Sequence, residues 1–171
     1  ITFIFGNFAL FTSDVKNSEF IRMSISPPTA PTILATLDMT GNTGALSVFV
    51  SGTKAYVGRA NSTPNPEFSI IDVSNPLVTP TVIGTVNMAN SANSIYVSGT
   101  NVFIATINTA QELTVINASN PAAPVQSGFL NLAAATTCSA VNGLGTTLFL
   151  GCAISSLSAL NIITHATPTL T

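Results

Sequence analysis

Apolar and polar residues alternate in short runs along this chain, and the runs recur. With Phe20, Phe68, Leu113 and Leu160 placed in one column, the strings that follow are FIRMSISPP, FSIIDVSNP, LTVINASNP and LNIITHATP. Each is a period-two apolar run that stops at a proline, which cannot donate to a β-ladder. Behind each, where the chain is long enough, come a second apolar run, a third, a glycine-centred turn and a fourth. The third and fourth runs with their turn read LSVFVSGTKAYVGRA, NSIYVSGTNVFIATI and SAVNGLGTTLFLGCA. The opening ITFIFGNFALFTSD has the form of one more such hairpin. In the clearest copy the predicted strands are 68–73, 82–86, 94–97 and 102–107. About four short strands in each 45–48-residue repeat predict an all-β, propeller-like array of four-stranded antiparallel repeats, with incomplete units at both ends. The whole chain, 1–171, then forms one domain. It divides into a partial unit 1–19, units 20–67, 68–112 and 113–159, and a partial unit 160–171.

Turn chemistry supports this frame. Asn75-Pro76 and Thr79-Pro80 bracket the loop after the first run. Ser51-Gly52-Thr53, Ser98-Gly99-Thr100 and Leu144-Gly145-Thr146 occupy equivalent hairpin turns, where glycine supplies a positive φ. Glu19, Glu67 and Glu112 each stand immediately before the first run of a unit, a place taken by Ala159 in the last copy. Three equivalent glutamates are expected at a solvated strand start rather than in a catalytic site. Asp72 is expected to cap neighbouring N–H groups as the chain enters its turn.

The string Phe68-Ser69-Ile70-Ile71-Asp72-Val73-Ser74-Asn75-Pro76, followed by SIYVSGTNVFIA at 94–105, resembles the LVIVD repeat. The unit 113–159 resembles it too, with Asn117 in place of the aspartate. The unit 20–67 does so more weakly, with Ser26-Pro27-Pro28 standing for S-N-P. Together these copies cover nearly the whole chain. The resemblance implies a propeller-like fold and association with bacterial or archaeal cell surfaces. It brings no catalytic residues with it.

Composition narrows the possible chemistry. Charged residues are 6% of the chain and the net charge is −2, against about 25% charged residues in an ordinary soluble domain. Ser, Thr and Asn make up about a third. The four cations, Lys16, Arg22, Lys54 and Arg59, form no stripe, so a nucleic-acid partner is not expected. The apolar opening, residues 1–11, is too short to span a bilayer. The single histidine, His165, has no neighbouring nucleophile and acid in sequence, and no phosphate loop or zinc-ligand cluster is present. No enzyme activity, metal or cofactor is therefore expected. Cys138 and Cys152 flank Gly145 seven residues to either side. An odd-length hairpin loop would set them opposite one another, as a disulfide or as two small buried thiols. A disulfide would imply an oxidising location. Asn61 and Asn117 head N-x-S/T sequons, with Asn61 in the more exposed loop.

The chain ends supply the functional expectation. Residues 1–19 have the form of the last two strands of a unit, and 160–171 that of a first strand. Such ends leave apolar side chains and strand edges unpaired. Pairing within the molecule would close a four-bladed ring; pairing between molecules would propagate head to tail. A nearly uncharged surface offers little resistance to the second outcome. The expectation is an extracellular or cell-surface structural protein whose partner is itself, a head-to-tail homopolymer forming a filament or layer, with glycans as a further partner. The residues expected to carry assembly are Ile1, Phe3, Phe5, Phe8, Leu10, Leu160, Ile162 and Ile163. The alternative is a closed monomeric propeller acting as an adhesin or a carbohydrate- or protein-binding module.

Overall fold

The computed structural model of the protein describes residues 2–62, 64–132, 137–153, 157–161 and 169–170. They form four antiparallel sheets of four strands each, taken in chain order. Blade 1 holds β1 (Thr2–Phe5), β2 (Phe8–Thr12), β3 (Phe20–Ser24) and β4 (Thr32–Leu37). Blade 2 holds β5 (Ala45–Ser51), β6 (Lys54–Arg59), β7 (Phe68–Asp72) and β8 (Thr81–Val86). Blade 3 holds β9 (Ala92–Ser98), β10 (Asn101–Thr106), β11 (Leu113–Asn117) and β12 (Val125–Leu130). Blade 4 holds β13 (Cys138–Leu144), β14 (Thr147–Cys152), β15 (Leu157–Asn161) and β16 (Thr169–Leu170). The strands predicted for the clearest copy fall on β7 to β10, within two residues at each end.

The sheets cut the repeat at a different phase from the sequence frame. A sheet begins with the hairpin, and the run closed by S-N-P is its third strand. The opening hairpin β1–β2 is accordingly completed by β3 and β4. In the last copy the frame itself shifts. Leu157 lies opposite Gly151 as Phe68 lies opposite Gly58, so that strand begins three residues before Leu160. Leu157-Ser158-Ala159-Leu160-Asn161 thus takes the place of Phe68-Ser69-Ile70-Ile71-Asp72. His165 lies outside the described residues.

The core consists of three layers between successive blades, because each strand turns alternate residues to opposite faces. Leu10 and Phe20 of blade 1 pack against Val48, Val50, Ala55, Val57 and Ile71 of blade 2. Tyr56, Phe68 and Ile70 of blade 2 pack against Ile95, Val97, Val102 and Ile104 of blade 3. Phe103, Leu113 and Val115 of blade 3 meet Val141, Leu148 and Leu150 of blade 4. The first strands of adjacent blades touch, β1 with β5, β5 with β9 and β9 with β13. The fourth strands lie at the rim, paired on one side only.

Candidate functional site

Two kinds of element hold the blades in place. The first is the glutamate at the head of each third strand. Glu19, Glu67 and Glu112 are fully buried, not solvated as their repetition had implied. Each carboxylate accepts a backbone N–H from the segment just beyond the fourth strand: Met39 at 3.0 Å, Met88 at 2.8 Å and Leu132 at 2.9 Å. Glu67 also takes the N–H groups of Ala89 at 3.1 Å and Ser62 at 3.1 Å. These bonds satisfy amides where the chain crosses to the next blade, an end that would otherwise carry unpaired polar groups into the core. Arg59 is buried nearby and donates to the carbonyls of Thr40 at 2.7 Å and Thr43 at 3.2 Å. Burial pushes its guanidinium below the usual range, and the charges of Glu19, Glu67 and Asp38 oppose that shift.

The second element is the S-N-P loop. Within the loop, Asp72 accepts the Ser74 N–H at 2.8 Å and Asn75 the Leu77 N–H at 2.9 Å. Asn117 and Asn120 repeat this in blade 3, at 2.9 Å to Ser119 and 3.2 Å to Ala122. Each loop then laps over the preceding blade. Arg22, buried on β3 at the position of Ile70 and Val115, donates to the carbonyls of Asn75 at 3.0 Å and Val78 at 2.8 Å. The loop of blade 3 rests on Gly84 of β8, so closely that a Cβ there would overlap the carbonyl oxygen of Pro121. Arg22 had carried no assigned role; its partners lie 53 and 56 residues away in the sequence.

The residues singled out in the sequence are distributed as follows. Phe3 and Phe5 fall in β1 and Phe8 and Leu10 in β2, the two strands being paired with each other. Leu10 is buried against blade 2 rather than at a free end. Leu160 falls in β15, opposite Leu148 and Leu170 of its own sheet, and not beside β1. Ile1, Ile162 and Ile163 lie outside the described residues. Cys138 and Cys152 are joined, with Cα atoms 3.9 Å apart. The turn between them is a two-residue loop, not an odd one, and a bulge between Cys138 and Ala140 restores the direct pairing. Asn61 is exposed, and its side-chain amide donates to the Ala89 carbonyl at 2.8 Å. Asn117 is half-buried at the end of β11.

Among the described residues, several surfaces are open to a partner. One is a cleft of about 410 Å³ between the hairpin turns of blades 2 and 3, lined by Thr53, Lys54, Tyr56, Thr100 and Ser119 among others. Another is the rim, where β4, β8 and β12 present six-residue strands without a single charged side chain. Ile33 and Leu34 on β4, and Val125 and Phe129 on β12, are exposed there. The third is the face of blade 1 that points away from blade 2. Among the described residues no group of three or more His, Cys, Asp or Glu side chains could hold a metal. No helix among them is long and apolar enough to cross a membrane.

The fold is that of β-propeller proteins. It is similar to the computationally designed Ika8 protein, at 12% identity and a TM-score of 0.71, over 99% of this chain and 46% of that one. BamB from Moraxella catarrhalis is similar at 14% identity and a TM-score of 0.69, over 99% of this chain and 46% of that one. The designed Ika4 protein is similar at 7% identity and a TM-score of 0.67, over 94% of this chain and 88% of that one. The chain thus spans about half the length of Ika8 and BamB. Curated proteins yield no match. The LVIVD repeat matches residues 43–88 and again 89–131, two consecutive copies over more than half of the sequence. This chain therefore belongs to the LVIVD-repeat family.

Proposed function

We propose that this protein is a non-enzymatic structural component of the cell exterior that associates with copies of itself into a filament or layer. The observation that carries the reading is the rim. A long, uncharged edge strand with exposed apolar side chains is a template for pairing, and monomeric proteins usually blunt such edges with lysine, proline or a bulge. Here TILATL and VQSGFL carry no charge; each has one register shift at its middle, at Leu34 and at Ser127, and beside it Ile33 is 60% and Val125 57% exposed. Strand addition at these edges replaces the chain-end complementation expected from the sequence, since both end segments are already paired within their own sheets. The Cys138–Cys152 bond supports an oxidising location. Exposed Asn61 is the better position for an N-linked glycan.

The test is electron microscopy of the native protein at neutral pH. Filaments or sheets that disperse on Ile33→Lys or Phe129→Lys are expected. Compact particles for the unaltered protein would overturn the proposal. A second reading, a binding module, is favoured by the cleft between blades 2 and 3, whose hydroxyls suit a carbohydrate. Saturable glycan binding lost on Lys54→Ala or Thr100→Val would support it.

A further inference from the structure

The two buried arginines differ in what answers their charge. Arg59 lies in the field of Glu19, Glu67 and Asp38. Arg22 is 3% exposed and, among the described residues, donates to carbonyl oxygens alone, those of Asn75 and Val78. Burial pushes its guanidinium below the usual range, and no carboxylate opposes that shift. A guanidinium carries five N–H groups. Two are engaged here, and Nε has no partner among the described residues. A buried charge is costly unless an opposite charge or a full set of hydrogen bonds answers it. Beside this group, between blades 1 and 2, lies a pocket of about 60 Å³. Phe8, Leu10 and Arg22 line it from β2 and β3, and Val73, Ser74 and Pro76 from the S-N-P loop. Apart from Arg22 and Ser74 these side chains are apolar. The matching place between blades 2 and 3 is built otherwise. There Lys54, Tyr56 and Ile70 stand for Phe8, Leu10 and Arg22, so the cation is half-buried and the position of Arg22 is apolar.

We infer that this pocket binds a small monocarboxylate, its oxygens on the remaining N–H groups of Arg22 and its aliphatic end against Phe8 and Pro76. One cation suits one negative charge, and the planar edge of a guanidinium matches the two oxygens of a carboxylate. The 60 Å³ of space holds about four water-sized groups, the size of acetate or propionate. Phosphate or sulfate would turn oxygens towards Phe8, Leu10 and Val73, which donate nothing. The bound acid would join β3 to the loop that Arg22 already holds, and so tighten the grip of blade 2 on blade 1. The pocket shares no lining residue with the cleft between blades 2 and 3 and uses no rim strand. It therefore stands or falls apart from the filament and from the carbohydrate reading.

The test is saturation-transfer NMR of propionate on the full chain, which reads weak ligands on single particles and on assemblies alike. A saturable signal with a dissociation constant of about 1 mM is expected, within reach of so small a ligand. Neutral propionamide should give none, and equimolar sodium chloride should not displace propionate. Arg22→Met should weaken binding at least about tenfold. That variant should fold, because Ile70 and Val115 hold the same place in blades 2 and 3. Phe8→Glu and Phe8→Gln form a second pair. Both remove the same ring, but only the glutamate sets a carboxylate of the chain itself beside Arg22. Propionate binding should vanish in Phe8→Glu and persist, weakened, in Phe8→Gln, with circular dichroism confirming that both are folded. No signal from the unaltered chain, an equal signal from propionamide, displacement by equimolar chloride, an unchanged dissociation constant in Arg22→Met, or one response from both Phe8 variants would each overturn the inference.

Discussion

The carboxylate of Glu67, at the head of β7, accepts the backbone N–H of Met88 at 2.8 Å across 21 positions of sequence. Ala89 and Ser62 share the same carboxylate. Replacement by alanine leaves three amides without their charged acceptor. Each such loss costs about 1–3 kcal/mol when the group stays dry, and partial exposure of two of them moderates the sum. Glu67→Ala should therefore destabilise by about 3 kcal/mol in urea unfolding. Glu112→Ala should cost less, because Glu112 serves Leu132 alone among the described residues and its Oε1 has no partner.

Gly84 and Gly52 are both glycine for different reasons. Gly52 holds φ +58 in an open turn, so Gly52→Ala meets only the left-handed penalty, about 1 kcal/mol. Gly84 has ordinary backbone angles but no room, since the Pro121 carbonyl and the Pro124 ring occupy the space of a side chain. Gly84→Val must push the blade 3 loop away, at about 3 kcal/mol or more. Limited proteolysis should then cut within 118–124, while the Gly52→Ala protein stays resistant there.

Reduction of the Cys138–Cys152 bond opens a loop of sequence separation 14. A loop of that size contributes about 3 kcal/mol through the unfolded chain. Dithiothreitol, or the double change to serine, should lower the melting temperature. The two treatments should agree, and a reductant effect persisting in the double variant would contradict the assignment.

Acid should act on the S-N-P loop of blade 2 and not on that of blade 3. The Ser74 N–H and hydroxyl hold the Asp72 carboxyl below its ordinary value, with Lys54 adding to the effect. A depressed folded-state value gives a contribution that is present above the ordinary carboxylate range and is lost as pH falls through the folded value. Asn117 makes the same cap without a titrating group. Asp72→Asn should therefore keep the turn and remove its part of the acid sensitivity, read as a flatter stability profile below about pH 4. Because Asp72 is largely solvated, the change in stability will be small.

Strands, hairpin turns and loop caps were legible in the sequence because their signals are local. Val102 to Ile104 alternates faces, Gly99 supplies its turn, and Asp72 caps an amide two residues on. The phase of the sheets was not legible, since a period looks the same wherever it is cut. The last copy slipped by three residues because both of its markers, the leading glutamate and the S-N-P, are altered. Burial of Glu19, Glu67 and Glu112 has no local signal, because the amides they hold beyond the fourth strand sit 20 to 22 residues downstream and backbone N–H groups carry no sequence signature. Arg22 looked like a stray cation for the same reason, its acceptors being carbonyls of another blade. The exposed face of blade 1 needed the register, since Ile4 and Val50 are indistinguishable by type.

The lapping loops give the array a direction. Blade 2 grips blade 1 through Arg22, and blade 3 grips blade 2 over Gly84, so blades 1 and 2 are each fastened by the blade that follows. Stability in such an array is a chain of nearest-neighbour terms, and here those terms are not symmetric under reversal. Trimming from the amino end removes a sheet without undoing any clasp among those that remain. Trimming from the carboxyl end as far as blade 3 releases the clasp on blade 2, which frays next. The molecule should thus shorten cleanly from one side and unravel from the other.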